Sequence, residues 1–129
     1  MKTNASSNFE NFKNNVEQKA NDIKNNITTA MVCEGPFDVL TCYTYGYPAI
    51  GTFGNPSPYQ IEAINKSPIK VLYIAMDNDW AGQRMANVIK AGIDPRIIIK
   101  EVHWLPNKKD PNEHSYEEFQ KIMEIAKNS

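Results

Sequence analysis

Ile69-Lys70-Val71-Leu72-Tyr73-Ile74-Ala75-Met76-Asp77-Asn78-Asp79-Trp80-Ala81-Gly82 is the stretch that decides the fold. Residues 69–76 are apolar almost throughout and do not alternate with polar residues. A run of that length and character reads as a strand covered on both faces, as in a parallel sheet. The acids at 77 and 79 end it, and 80–91 reads as a helix stopped by Gly92. Outward from this unit the pattern repeats. Residues 29–33 (TAMVC) read as a short buried strand. Residues 36–45 read as a helix, with Pro36 in its first turn and Gly46 past its end. Residues 49–53 form a second short strand, and Ser57-Pro58 opens a helix that runs to about Lys66. Residues 97–104 give a last strand. Ser115-x-x-Glu118 is a capping box that opens a C-terminal helix carrying Tyr116, Phe119, Ile122, Met123 and Ala126. Strands and helices in alternation imply an α/β fold, with a mostly parallel central sheet of about four strands flanked by helices.

Residues 1–28 differ from the rest. They are rich in Asn and Lys, and Phe9, Phe12, Val16, Ala20, Ile23 and Ile27 recur at spacings of three and four. This is an amphipathic helical extension ahead of a domain at 29–129. Asn is a poor helix former, so the helix needs a surface, either the body of the same chain or a partner.

The 129 residues suffice for one domain. No run is long and apolar enough to span a bilayer, and the first residues have no apolar leader, so a cytoplasmic protein with no membrane partner is expected. Cys33 and Cys42 make no disulfide framework and are expected to be reduced, partly buried small hydrophobes; two Cys and two His without C-x-x-C exclude an obvious zinc ribbon. The net charge is −1. Phosphate neutralisation supplies most of the affinity of a protein that holds DNA unaided, so nucleic-acid binding by this chain alone is expected to be weak.

Ligands of open α/β sheets bind beyond the carboxyl ends of the strands. Glu34-Gly35 follows the first strand, Asp77-Asn78-Asp79 the strongest one, and Asp110 the last, across a short loop. Carboxylates gathered at one end repel one another unless a cation or shared protons compensate. Hard cations take oxygen ligands, and magnesium takes one or two carboxylates together with substrate phosphates. Gly35 permits a tight turn after Glu34, and Ala81-Gly82 lets the next helix crowd the acids. The set fits metal-assisted phosphoryl chemistry. The alternative for Asp79 is the N-cap of the Trp80 helix, and for Asp110-Pro111 a plain turn.

Glu34-Gly35-Pro36-Phe37-Asp38, Ala49-Ile50-Gly51-Thr52-Phe53-Gly54, Asp77-Asn78-Asp79-Trp80-Ala81-Gly82 and Lys109-Asp110-Pro111-Asn112-Glu113 occur in that order. Together, over roughly residues 30–115, they resemble the Toprim family, a Rossmann-like fold, and within it the primases of bacteria and phages. The resemblance implies Mg2+ or Mn2+ as cofactor. It implies a catalytic carboxylate at Glu34, metal binding by Asp77 and Asp79 with Glu34 beside them, and a further metal-proximal acid at Asp110. Asp38 matches the family's helix acid, although an acid in a first helical turn also suits the helix dipole. Lys109 and Arg84 are the cations placed to meet a phosphate, with a solvated surface cation as the alternative for each. Trp80 departs from the polar or basic residue usual there, which points to stacking or lid packing instead.

The function this implies is a primase-like nucleotidyl-transfer module of DNA replication, acting with a protein partner that supplies template binding. The zinc-binding, basic and helicase-binding parts of a bacterial primase do not fit in this chain, so a small stand-alone protein, such as a phage-borne one, or one piece of a split enzyme is expected. Two other readings stay open: a Toprim-type nuclease cutting RNA or DNA, and a non-catalytic interaction module, against which the intact acids argue. A phosphatase of the haloacid-dehalogenase class also carries D-x-D after a strand, but has Thr or Val where this chain has Trp80. His103 reads as structural, and His114 as loop adjoining the C-terminal cap.

Overall fold

The structure, a computed structural model, describes residues 27–129 together with Asn14. The amphipathic extension expected over 1–28 lies, but for Asn14, Ile27 and Thr28, outside the described residues.

Four strands, β1 (Thr29–Cys33), β2 (Ala49–Gly51), β3 (Val71–Ile74) and β4 (Ile98–Glu101), form one sheet in the order β2-β1-β3-β4. Every pairing is parallel, with Val32 opposite both Ile50 and Ile74, and Ile74 opposite Glu101. The helices are α1 (Pro36–Thr44), α2 (Pro58–Lys66), α3 (Trp80–Gly92) and α4 (Tyr116–Lys127); a 3-10 turn at Pro111–Glu113 precedes the last.

The alternation of side chains along each strand divides the interior in two. Met31, Cys33, Tyr73 and Ala75 face one layer, where they meet Cys42 of α1 and Phe119, Ile122 and Met123 of α4. Ala30, Val32, Leu72, Ile74 and Met76 face the other, against Ile64 of α2 and Ala86 and Ile89 of α3. β3 needs apolar residues at successive positions because both of its faces are covered, which is why residues 69–76 do not alternate. Cys33 and Cys42 are unpaired and completely buried, deeper than their sequence context implied.

The strands pair over shorter stretches than the apolar runs. Val71–Ile74 is the paired part of 69–76, although Ile69, Ala75 and Met76 remain buried. β2 stops at Gly51 because Phe53 takes a left-handed backbone, φ 55°, which no strand accommodates. Helix starts follow the sequence signals. Ser57 caps α2 and Ser115 caps α4, each in a reciprocal bond with the residue three positions on, Gln60 and Glu118. Glu118 also holds Lys108 at 3.0 Å; these bonds, that from the Ser115 N–H foremost, pull its carboxyl down to about 2.

The order 2-1-3-4 places the reversal of winding between β1 and β3. After β1 the chain moves to one side, and after β2 it crosses back over β1 to the other. The crevice beyond such a reversal is where open α/β sheets bind ligands, and here it lies between Glu34 and Asp77.

Candidate metal centre

Three loops meet at this crevice, and backbone bonds fix them to one another. Glu34, just past β1, reaches across with its Oε1 to accept the Asp77 N–H at 3.1 Å. Asn78 N–H donates to the Lys109 carbonyl at 2.6 Å, which ties the loop after β3 to the loop after β4. Trp104 donates its indole N–H to the Met76 carbonyl at 3.0 Å, one residue before Asp77.

Helix α3 presses directly on the Asp77 backbone. A Cβ at Gly82 would lie 2.0 Å from the Asp77 carbonyl oxygen, so only glycine fits there. Gly82 N–H donates to Asp79 Oδ1 at 2.7 Å, which makes Asp79 the N-cap of α3; its Oδ2 lies 3.3 Å from Lys109 Nζ. The Gly82 bond, and after it Lys109, hold the Asp79 carboxyl below its ordinary value.

Carboxylate oxygens of Asp38, Asp77 and Asp110 all lie within 4.8 Å of one another, an arrangement able to hold a metal ion. Asp38 is only 7% exposed although it stands in the first turn of α1. Its Oδ2 accepts the Gly35 N–H at 3.0 Å and its Oδ1 accepts the Asn112 side-chain N–H at 2.7 Å. Burial raises its carboxyl pKa, and Asp110 adds to the rise, while the Gly35 and Asn112 bonds oppose it. Asp110 uses its Oδ1 to accept the Asn112 backbone N–H at 2.9 Å. Asp77 is the least satisfied of the group. Its Oδ1 is buried with no hydrogen-bond partner, and its carboxyl is pushed up to about 7, first by burial and then by Glu34, Asp38, Asp110 and Asp79.

A buried carboxylate oxygen without a donor, facing further carboxylates, is a costly arrangement for a protein alone. A divalent cation with oxygen preference compensates both the missing partner and the repulsion, so the donor set fits Mg2+ or Mn2+.

The residues singled out from sequence therefore fall into two groups. Asp77 and Asp110 share the cluster, Glu34 touches it through the Asp77 N–H, and Asp38 stands inside it. Asp79 turns its oxygens to Gly82 and Lys109, the cap role weighed for it. Arg84 lies with its guanidinium carbon 5.2 Å from the centre of the Trp80 ring. Exposed His103 lines the same cleft as Asp77, Asn78 and Gln83.

Two contributors were not read from the sequence. Asn112 bonds Asp38 across 74 positions and also contacts Thr41 Oγ1. His114 is buried. Its Nε2 accepts the Leu105 N–H at 3.1 Å, which leaves Nδ1 protonated to donate to the Asp110 carbonyl at 2.9 Å. Its ring lies 5.0 Å from that of Trp104. His114 thus positions the Asp110 loop as a neutral imidazole. The only sequence signal for Asn112 was its place in Lys109-Asp110-Pro111-Asn112, and His114 had none. We predict that His114→Ala lowers unfolding free energy by about 2–4 kcal/mol, because two buried backbone groups lose partners and a cavity opens beside Trp104. Urea titration followed by circular dichroism measures it, and a change within about 0.5 kcal/mol, the level of a surface mutation, would remove His114 from this role.

A parallel sheet in 2-1-3-4 order with an acidic cluster at its switch point defines an open α/β domain with a candidate metal site. The sequence matches the family described as Toprim-like over residues 31–115, more than half of the chain, and the protein belongs to that family. Among curated proteins nothing matches. Solved structures similar to it include primases. The Aquifex aeolicus primase, crystallised as its zinc-binding and RNA polymerase domains, is 24% identical with a TM-score of 0.65, over 81% of this chain and 27% of that one. The DnaG primase catalytic domain bound to ssDNA is 22% identical with a TM-score of 0.62, over 78% and 34%. The primase fragment of the bacteriophage T7 primase-helicase is 19% identical with a TM-score of 0.53, over 75% and 43%. The likeness is one of fold, and this chain spans less than half of each of them. Among the described residues no helix is long and apolar enough to cross a membrane.

Proposed function

We propose that this protein is a Mg2+- or Mn2+-dependent nucleic-acid phosphoryl- or nucleotidyl-transfer module related to DNA primase, acting with a partner that supplies template binding. The observation that carries this reading is the orphaned, buried Oδ1 of Asp77 among Asp38, Asp110 and Glu34 at the switch point of the sheet. Asp77 and Asp110 would hold the ion, with Asp38 and Glu34 closing the site. The ion would supply neutralisation of phosphate charge.

Glu34 stands at the rim of this cluster. One oxygen is fixed by the Asp77 N–H, and the carboxylate is the group assigned to take or give the proton of a reacting hydroxyl. Lys109 stands beside the acids, steered by Asp79, and Arg84 lies on α3 over the Trp80 ring. Both are assigned to substrate phosphates. Gly82 serves by letting the α3 backbone close in on Asp77; Gly35 donates its N–H to Asp38 from an extended backbone, where a Cβ would lie an ordinary 3.6 Å from Asp38 Oδ2, so the tight turn expected there is not what requires glycine. The net charge of −1 supports dependence on a partner for template affinity. The DnaG structure bound to ssDNA supports single-stranded nucleic acid as the substrate class.

The test incubates the full chain, at high concentration to offset weak template binding, with labelled single-stranded DNA or RNA, nucleotides and Mn2+. Extension that disappears with EDTA is expected, and Glu34→Gln is expected to lower its rate about 100-fold or more. Cleavage in its place assigns the chain to nucleases. Product formed equally without metal sinks the reading.

A further inference from the structure

Of the large aromatic side chains left in solvent, three belong to the loops and helix starts next to the acids: Phe37 is 74% exposed, Phe53 67% and Trp80 76%. Each follows a different strand, β1, β2 and β3, and these are neighbours in the sheet. Phe53 N–H donates to the Glu34 carbonyl at 2.7 Å, Phe37 lies in the first turn of the helix after Glu34, and Trp80 directly follows Asp79. All three therefore border the loops that carry the acids.

Two further observations separate this set from scattered surface hydrophobes, which need no explanation. Phe53 keeps a left-handed backbone, φ 55°, a conformation that costs a bulky residue energy and that persists where the surroundings impose it. A glycine follows at Gly54, also at positive φ, so the turn had a cheaper residue type to hand. Trp80 carries the Arg84 guanidinium over its ring at 5.2 Å, a ready cation–π pair that presents a positive charge beside a flat stacking face.

We propose that Phe37, Phe53 and Trp80 with Arg84 form a base-stacking platform that holds single-stranded nucleic acid beside the acidic cluster. The proposal rests on the function given above and deepens it, naming unpaired bases as what this chain itself grips. Aromatic stacking is sequence-tolerant, since every base has a π face, and needs no excess of positive charge. That suits a chain of net charge −1 whose acids repel a bare phosphate backbone. Duplex DNA hides its base faces and would not be held.

Trp80 is a built-in reporter, because the other tryptophan, Trp104, is buried. The full chain with Mn2+ is titrated with short oligothymidylate, with oligouridylate, with an abasic sugar-phosphate oligomer of equal length, and with duplex. Both base-bearing single strands are expected to quench Trp80 fluorescence with a shallow salt dependence, and the abasic oligomer and the duplex to bind at least about five-fold more weakly.

Binding of the variants is followed by anisotropy of a labelled strand. Trp80→Ala, Phe37→Ala and Phe53→Gly are each expected to weaken it about five-fold or more. Glycine at 53 relieves the left-handed backbone, so that variant keeps its fold. Ile125→Ala, an exposed apolar residue in the last turn of α4, is expected to bind as the wild type does. Equal affinity for the abasic oligomer, absence of single-strand binding, or wild-type affinity in the aromatic variants overturns the platform. Thermal stabilisation by Mn2+ is read on the same samples. Its absence in the wild type overturns the metal-dependent function instead, whatever the oligomers do.

Discussion

Asp77→Asn is expected to melt higher than the wild type in metal-free buffer, and to lose the rise in melting temperature that Mn2+ gives the wild type. The wild-type carboxylate is half-buried, lacks a partner for its buried Oδ1 and faces four other acids. Removing its charge relieves that repulsion whether or not a metal is present. Relief of about 1 kcal/mol corresponds to about 4–8 °C in a domain of this size. The same substitution takes away the ligand that most needs the ion. An ion at 100 times its dissociation constant stabilises by about 2.7 kcal/mol, so the wild type should rise by roughly 10 °C or more on this scale, and the variant should not.

The pH dependence has a definite sign. The Asp77 carboxyl is raised in the folded state from its ordinary 3.8 to about 7. A raised carboxyl favours the folded state while it is protonated. Its contribution is complete below about pH 4 and is lost as pH rises through about 7. The metal-free wild type therefore loses stability across that window relative to Asp77→Asn. The gain from Mn2+ should grow across the same window, because the ion competes with the proton for Asp77. Scanning calorimetry with and without Mn2+ at several pH values measures both effects. A metal-induced shift that survives in Asp77→Asn excludes the assignment of Asp77 as a ligand. Asp77 is the better single target than Asp79, whose replacement also removes the N-cap of α3 and about 1 kcal/mol with it.

Gly82→Ala is expected to have the larger effect on the fold itself. A methyl group there would sit 2.0 Å from the Asp77 carbonyl oxygen and 2.8 Å from its carbon. No rotamer relieves a Cβ clash with main chain, so either α3 moves away from β3 or the loop carrying Asp77 shifts. Overpacking costs about 1–3 kcal/mol, occasionally more, and a backbone collision belongs at the top of that range. Movement also breaks the Gly82 N–H bond to Asp79 and displaces Asp77 from Asp38 and Asp110. The variant should thus lose both stability and metal-induced stabilisation, measured together by urea titration with and without Mn2+. Full retention of the metal response would show that the close contact of helix and loop does not set the site.

The two substitutions separate charge from shape. Asp77→Asn leaves the packing and removes the negative charge; Gly82→Ala leaves every acid and disturbs where they stand. Opposite changes in metal-free stability with a common loss of the metal response would locate the ion between β1 and β3 more firmly than either result alone.

The apolar run 69–76, the repeated strand–helix alternation and the cap signals at Ser57 and Ser115 were enough to give an all-α/β architecture, because burial on two faces and helix ends leave local marks in a chain. The spacing of Glu34, Asp77 and Asp110 was enough to place acids at one end of a sheet. Their division of labour was not local. Asp79 is two residues from Asp77, and an extended backbone alone would aim both at one point; the tight approach of Gly82 turns Asp79 into a helix cap instead. Asp38 looked like a helix-dipole residue until Asn112, 74 positions away, closed over it. His114 holds Asp110 through a buried tautomer that no neighbour in sequence signals. Element type and order follow from interactions between residues a few positions apart, which the sequence displays directly. Which carboxylate is left without a partner depends on hydrogen bonds between loops far apart in the chain, and only the folded arrangement of the sheet brings those loops together.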